Sequence, residues 1–553
     1  MIFHSPFPPL RASRAPYGTV LLEALWRNAI DAPEKPALIN AEDHADQVTY
    51  RNLYVHALSV ASFLKDHKFG HGDVAAFCMP NKWQFVPILA GVALRGAAIS
   101  GASYQFTEFE LERQFKDCRC KIVFCSEETF QKTTNSARKC PLIQMIVVVT
   151  RINSKFESSP GILTFDQVLA TKPDVHSHEI DIDVKRDVVF LPYSSGTTGN
   201  PKGVMLSHQN LNSQMELFSR HLEDHLLQPV DLQLTWKSQN HLIFAPLYHV
   251  FGFTFLQSVL LHGGTAVLMA KFDFALYCRT IERFKVKLIG IVPPILVLLA
   301  KSPLVEQFDL SSLKILFCGG APAGRELCED VRTRMPHIKF VSQGYGMTEI
   351  TLACTLPVYG TKQTFGNVGQ IAASTQVRIV DTVTQKPLEP EQRGEIYVKS
   401  ASVMLGYLNR PEATAAAIDD DGWLRTGDIG FVDRRGFLFI VDRLKELIKV
   451  KGLQVPPAEL EDLLLTHPLI EDAAVVGVPH ERDGERPMAF VVRANEALCE
   501  EEVRKYVADR VAPYKQLKGG VHFLPQIPKS PSGKILRRFL RDEAAALRKA
   551  AKL

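Results

Sequence analysis

The chain is 553 residues long, 46% hydrophobic and 22% charged. That is enough apolar material for several buried cores and too much for a long disordered tract. Its 64 Lys+Arg and 60 Asp+Glu leave a net charge of +4, too small a bias for nucleic-acid recognition. The bias is uneven: residues 442–553 hold 20 basic and 17 acidic side chains, and residues 531–553 hold 7 and 2.

Pro6, Pro8, Pro9 and Pro16 interrupt the N-terminus, so no secretory signal is expected. Ten cysteines are scattered along the chain, and only Cys118, Cys120 and Cys125 cluster. Their spacing fits no zinc pattern, so reduced, buried thiols of an intracellular protein are expected. Apolar runs at 188–193, 242–246, 265–269, 287–292 and 313–318 read as buried strands. Helical patterns at 274–284 and 325–334 lie between them, which predicts α/β layering. The apolar stretch 253–270 is the best membrane candidate. Gln257, His262, Gly263 and Gly264 break it, so a buried hairpin or strand pair is expected rather than a span. A hairpin turn at 430–436 leads to a strand at 437–441, followed by the charged run Asp442, Arg443, Leu444, Lys445, Glu446. Beyond it the texture is α+β, with helices at 459–465, 500–510 and 535–549 and strands at 473–478 and 488–492. The division is therefore a large domain over 1–441, a linker at 442–445 and a small domain over 446–553.

The most informative stretch is YSSGTTGNPKGV at 193–204, after a strand. Gly196, Gly199 and Gly203 let the backbone approach an anion. Ser194, Ser195, Thr197 and Thr198 add hydroxyls and Lys202 a positive charge, a set suited to polyphosphate. The Walker A spacing is absent. The plain alternative is a Ser/Thr/Gly-rich surface loop.

This segment resembles the phosphate loop of the adenylate-forming enzymes: acyl-CoA synthetases, 4-coumarate–CoA ligases and beetle luciferases. Four more signatures follow in that family's order: YGMTE at 345–349, GWLRTGD at 422–428, DRLKE at 442–446 and PKSPSGK at 528–534. The fold implied is α/β. A large N-terminal domain has several subdomains, with helix-packed β-sheets and a small β-barrel. A small mobile α+β domain follows.

The resemblance also implies roles. Ser194, Ser195, Gly196, Thr197, Thr198, Gly199 and Lys202 would cradle the phosphates of ATP. Gly320 and Ala321, in a tight turn at 319–322, would border the adenine and the acyl group. In the stretch Gln343, Gly344, Tyr345, Gly346, Met347, Thr348, Glu349, the tyrosine would stack on the purine. Thr348 would reach the α-phosphate and Glu349 would hold Mg²⁺, a hard cation that prefers oxygen. A Thr-Glu pair alone would read as a helix cap. Asp428 would accept both ribose hydroxyls, assisted by Arg443; its plain reading is a turn residue. His249 would sit beside the acyl carboxylate and the thiol entrance, where an isolated histidine is otherwise structural. Lys534 would bridge the acid and the α-phosphate, whereas Arg537 and Arg538 read as solvated basic residues. Lys445 would be the hinge. Lys451 and Gly452, with Lys449, would form the face that meets the large domain when coenzyme A reacts. The acyl pocket would draw on Tyr248, Phe253, Ile295, Gly320, Gly344, Thr351 and Ala353.

Together these imply an ATP-dependent acyl-CoA ligase that makes an acyl-adenylate and then a thioester, using Mg²⁺. Its acid is hydrophobic, a fatty acid or an aryl-propenoate. A luciferase-like oxidation is the alternative within the family. Ser342 stands where beetle luciferases usually carry Arg, which weighs against it. A non-catalytic binding homologue is the alternative of another class, and Lys534 and Glu349 weigh against that. A carrier-protein adenylation module would need chain beyond 553. The terminal Ala551, Lys552 and Leu553 differ by one small residue from a peroxisomal address. Peroxisomal location through an import receptor is therefore expected, and otherwise a cytoplasmic one.

Overall fold

Short apolar runs without alternation become parallel strands covered on both faces. The computed structural model describes residues 1–11, 13–151, 154–177, 180–194, 201–321, 323–361, 366–444, 446–450, 453–480, 482–530 and 533–550. Leu288–Ile291, Ile315–Cys318 and Phe340–Gln343 form a three-stranded parallel sheet. Only Gly290 and Gln343 among them are not buried. A nine-stranded mixed sheet is centred on Val74–Cys78, and Val188–Phe190 lies between Ala98–Gly101 and Lys202–Ser207. Asn240–Ile243, Thr265–Leu268, Pro36–Asn40 and Gln47–Thr49 make a four-stranded sheet. Nine of the ten cysteines are buried and none is bridged; Cys499 is exposed.

The apolar stretch at 253–270 departs from expectation. It is a helix, Val250–His262, followed by the strand Thr265–Leu268, not a hairpin or strand pair. Most of the helix is buried all round, so it shows no amphipathic period to distinguish it from strand. Gly263, at φ 79°, ends it by returning its N–H to Val259. Among the described residues no helix is long and apolar enough to cross a membrane.

The expected small barrel is a seven-stranded antiparallel sheet running from Phe3–His4 to Thr355–Leu356. Among the described residues no pairing joins those two edges, so it is an open sheet. Its strands Leu424–Val432 and Phe437–Arg443 pair as far as Asp428 opposite Arg443. The second strand thus carries Asp442 and Arg443 past residue 441.

The C-terminal part has its own five-stranded sheet. Its long hairpin, Ile470–His480 with Gly484–Arg493, alternates two apolar faces. Val475 and Val491 pack with Leu460 and Val503 on one side. Val476 and Phe490 pack with Leu540 on the other. Helices Pro457–Leu465 and Glu500–Ala508 cover the first face and Arg537–Ala550 the second.

Candidate active site

Strand ends and the turns after them meet at one cavity of about 2240 Å³. Tyr193 and Ser194 pair with Gly203 and Lys202, forming the feet of the phosphate loop. Ser195, Gly196, Thr197, Thr198 and Gly199 lie outside the described residues. Ser194 lines the cavity, while the Lys202 ammonium sits 4.7 Å from the centroid of the Tyr407 ring.

After Ile315–Cys318 the chain turns through Gly319, Gly320 and Ala321, the last two on the cavity wall. The Gln343 side chain pins this turn. Its Oε1 accepts the Ala323 N–H at 2.9 Å and its Nε2 donates to the Ala323 carbonyl at 3.1 Å. Gly344, Tyr345, Gly346 and Met347 follow along the wall. At Gly346 a Cβ would lie 1.6 Å from the Leu352 carbonyl oxygen, so only glycine fits.

The Tyr345 hydroxyl donates to Asp428 Oδ2 at 2.6 Å, and the Arg443 guanidinium lies 3.2 Å from Oδ1. Asp428 is buried, which raises its pKa despite Arg443 and Tyr345. The carboxylate that could meet a ribose is therefore positioned by two donors, and its strand pairing places Arg443 opposite it.

Thr348 and Glu349 are buried in a 3₁₀ turn, Thr348–Ile350. Glu349 Oε1 accepts the Tyr407 hydroxyl at 2.9 Å, and the Glu349 carbonyl accepts Met404 N–H. Among the described residues Oε2 has no hydrogen-bond partner, and no three His, Cys, Asp or Glu gather as a metal cage. That donor set suits Mg²⁺, which is commonly held by one or two carboxylates plus substrate phosphates.

The small domain reaches the same cavity through its late loop. Gly533, at φ 79°, abuts the large domain: a Cβ there would lie 3.3 Å from the Val292 side chain. Lys534 lines the cavity, and its backbone N–H is held by Ser530 Oγ at 3.2 Å. Burial and the Arg443 charge lower the Lys534 pKa, while Glu349 and Asp428 oppose this. His249 also lines the cavity and caps the helix Val250–His262, its Nδ1 accepting Phe251 N–H at 3.4 Å. Burial and the nearby Lys534 charge push its pKa down to about 3. The imidazole is therefore neutral near pH 7, with its ring proton on Nε2.

The residues expected to line an acyl pocket divide between the cavity and the core. Tyr248, Gly320 and Gly344 line the cavity. Phe253 does not: it is fully buried and stacks on Phe190 at 4.4 Å. Thr351 is buried too, its hydroxyl donating to the Ser402 carbonyl at 2.7 Å. Ala353 and Ile295 likewise lie in the core. Ser103, Pro294 and Val297 also line the cavity, with Pro294 beside Gly533 of the small domain. Position along a motif does not reveal which face of a fully buried helix looks inward. Lys445, Lys451 and Gly452 lie outside the described residues. Tyr407 was not singled out from sequence, because only strand pairing brings it to Glu349.

The AMP-binding enzyme model matches residues 25–408, and the AMP-binding enzyme C-terminal domain model matches residues 459–534. The chain belongs to the AMP-binding enzyme family. It is similar to 4-coumarate–CoA ligase 2 of Nicotiana tabacum, at 40% identity over 99% of this chain and 98% of the relative. Among solved structures it is similar to o-succinylbenzoate CoA synthetase (MenE) from Bacillus subtilis with the acyl-adenylate OSB-AMP. That match has 28% identity and a TM-score of 0.75, covering 94% of this chain and 98% of the other. ATP-bound MatB from Rhodopseudomonas palustris gives 26% identity and a TM-score of 0.80, with 94% and 98% covered. As a member of this family the chain is an AMP-forming acid–thiol ligase, for which ATP and coenzyme A are substrates.

Proposed function

We propose that this ligase activates a hydrophobic carboxylic acid, with an aryl-propenoate of the 4-coumarate kind ahead of a straight-chain fatty acid. The observation that carries the catalytic reading is the meeting of Lys534 with Glu349, Asp428 and His249 in one cavity. In the first step an acid oxygen attacks the α-phosphorus of ATP and pyrophosphate leaves, giving acyl-AMP. Asp428 and Arg443 hold the ribose, Tyr345 supports the purine, and Thr348 with the loop Ser194–Lys202 holds phosphate oxygens. Lys534 offsets negative charge as the fifth oxygen joins phosphorus. Glu349 would hold Mg²⁺, which when bound neutralises phosphate charge. His249, neutral with its proton on Nε2, orients the acid as a hydrogen-bond donor rather than as a cation.

In the second step the small domain, residues 446–553, rotates against residues 1–441 about Lys445. This withdraws Lys534 and brings Lys451 and Gly452 to the cleft, where the coenzyme A sulfur attacks the acyl carbon and AMP leaves. One cavity serving two reactions calls for such a step.

Two observations support the aryl acid. The relative at 40% identity is named a 4-coumarate–CoA ligase. The cavity lining includes Pro246 and Tyr248, and the Tyr248 hydroxyl donates to Ser103 Oγ at 3.1 Å, a polar pair on the lining. That pair could receive a ring hydroxyl. A panel of aryl-propenoates and fatty acids with ATP, Mg²⁺ and CoA tests this, following pyrophosphate and thioester separately. Faster turnover of fatty acids than of every aryl acid would reverse the order.

We also propose peroxisomal delivery through an import receptor that reads Ala551, Lys552 and Leu553, which lie outside the described residues. Masking the three residues should release a fluorescent fusion to the cytosol. Unchanged punctate fluorescence would overturn the proposal.

A further inference from the structure

Glu349 and Lys202 belong to different elements, and one side chain touches both. Tyr407 donates its hydroxyl to Glu349 Oε1 at 2.9 Å, and the Lys202 ammonium lies 4.7 Å from its ring centroid. The tyrosine is held on both flanks. Its strand, Gly406–Tyr407, pairs antiparallel with Lys202–Ser207, placing Tyr407 opposite Val204. Leu405 and Leu408 bond the same strand through Met205 and Gly203 carbonyls. On the other flank Tyr407 N–H donates to Thr414 Oγ1 at 2.9 Å. Glu349 is fixed through its backbone as well, by Met404 N–H. The tyrosine ring is thus a rigid spacer between a phosphate-loop cation and a buried carboxylate.

We propose that Tyr407 is a positioning residue: its hydroxyl orients Glu349 toward the metal–phosphate complex and its ring holds Lys202 in register with it. The proposal rests on the adenylating role given above to Glu349 and Lys202. It commits to the metal-bound nucleotide as the ligand that feels the hydroxyl. The partner that orients a metal-binding carboxylate commonly contributes 10–100-fold in metal affinity or activity.

The test uses the full-length protein with Tyr407→Phe, Tyr407→Leu, Glu349→Gln and the Glu349→Gln/Tyr407→Phe pair. Tyr407→Phe keeps the ring and the fold, checked by an unchanged thermal midpoint. Calorimetry should show about tenfold weaker MgATP binding. Binding of AMP, and of ATP in EDTA, should change by less than about twofold, as should conversion of supplied acyl-AMP to thioester. The Mg²⁺ concentration for half-maximal pyrophosphate exchange should rise by a similar factor to the MgATP change. On the Glu349→Gln background, the same Tyr407→Phe change should cost less than about twofold, because the group it acts through is gone. Tyr407→Leu should additionally weaken metal-free ATP, through Lys202.

Parent-like MgATP binding in Tyr407→Phe would overturn the proposal. So would equal losses for MgATP, metal-free ATP and AMP, or an undiminished effect on the Glu349→Gln background. If Tyr407→Leu matches Tyr407→Phe, the Lys202 half is overturned. Failure of the adenylation reading itself would look different: the parent protein would show no acid-dependent pyrophosphate exchange.

Discussion

The two sides of the cavity are secured in different ways. On the large-domain side several polar groups are tied to their own fold: Gln343 to Ala323, Tyr345 and Arg443 to Asp428, and Tyr407 to Glu349. On the small-domain side Lys534 arrives on a loop whose own bonds, to Ser530, are local. A fixed floor can keep hold of a nucleotide through two reactions. A cation carried on a separate unit can serve one reaction and then leave. The contrast therefore divides binding from timing.

The largest effect should come from breaking the arriving side. Lys534→Ala should lower acid-dependent pyrophosphate exchange by about 10²–10³-fold. Conversion of supplied acyl-AMP to thioester should stay near the parent rate. Equal losses in the two assays would erase the division. On the fixed side, Phe253→Ala should destabilise the protein by about 3–5 kcal/mol, measured by denaturant unfolding. It should leave the order of preferred acids unchanged, because Phe253 stacks on Phe190 in the core and neither lines the cavity. A changed acid order would return Phe253 to the pocket.

A smaller effect should appear where the two sides meet. Asp462 of the small domain lies against the turn before the helix Arg325–Arg334: a Cβ on Gly324 would be 3.2 Å from its carboxyl carbon. Burial there, with Glu461 and Glu326 nearby, pushes its pKa up to about 7. The docked arrangement therefore holds a proton that a solvated aspartate, titrating near 4, would release. Docking is fully favoured below about pH 4, weakens as pH rises toward 7, and levels off above it. Asp462→Asn should flatten this part of the pH profile for pyrophosphate exchange and raise the rate at pH 8 by a few-fold. An unchanged profile would detach Asp462 from docking. The smallest effect is expected at Lys449, an exposed residue of the small domain. Lys449→Ala should change pyrophosphate exchange by less than about twofold.

Much of the cavity lining comes from short spans that can be read along the sequence. The runs ending at Glu349, Asp428 and Lys534 each keep a side chain that reaches the cavity next to the glycines or strand that shape it. The charged run suggests a linker at 442–445, whereas strand pairing carries Asp442 and Arg443 into the large sheet, a continuation that charge alone does not announce. What escaped depends on contacts between distant segments. Phe253 and Thr351 lie on faces that sequence position alone does not orient. The helix Val250–His262 is apolar all round, so periodicity could not separate it from strand. Tyr407 meets Glu349 across 58 residues of chain, and nothing in its neighbours announces that.

Gly533 gives the docking a depth. It carries no chemistry, yet its bare Cα is what lets the backbone before Lys534 press against Val292. A methyl group there would act as a shim between two machine parts. It would meet the Val292 side chain at 3.3 Å and also strain the left-handed backbone at Gly533, so loop and seat would be disturbed together. The seat of the loop that carries Lys534 thus depends on a residue with no side chain.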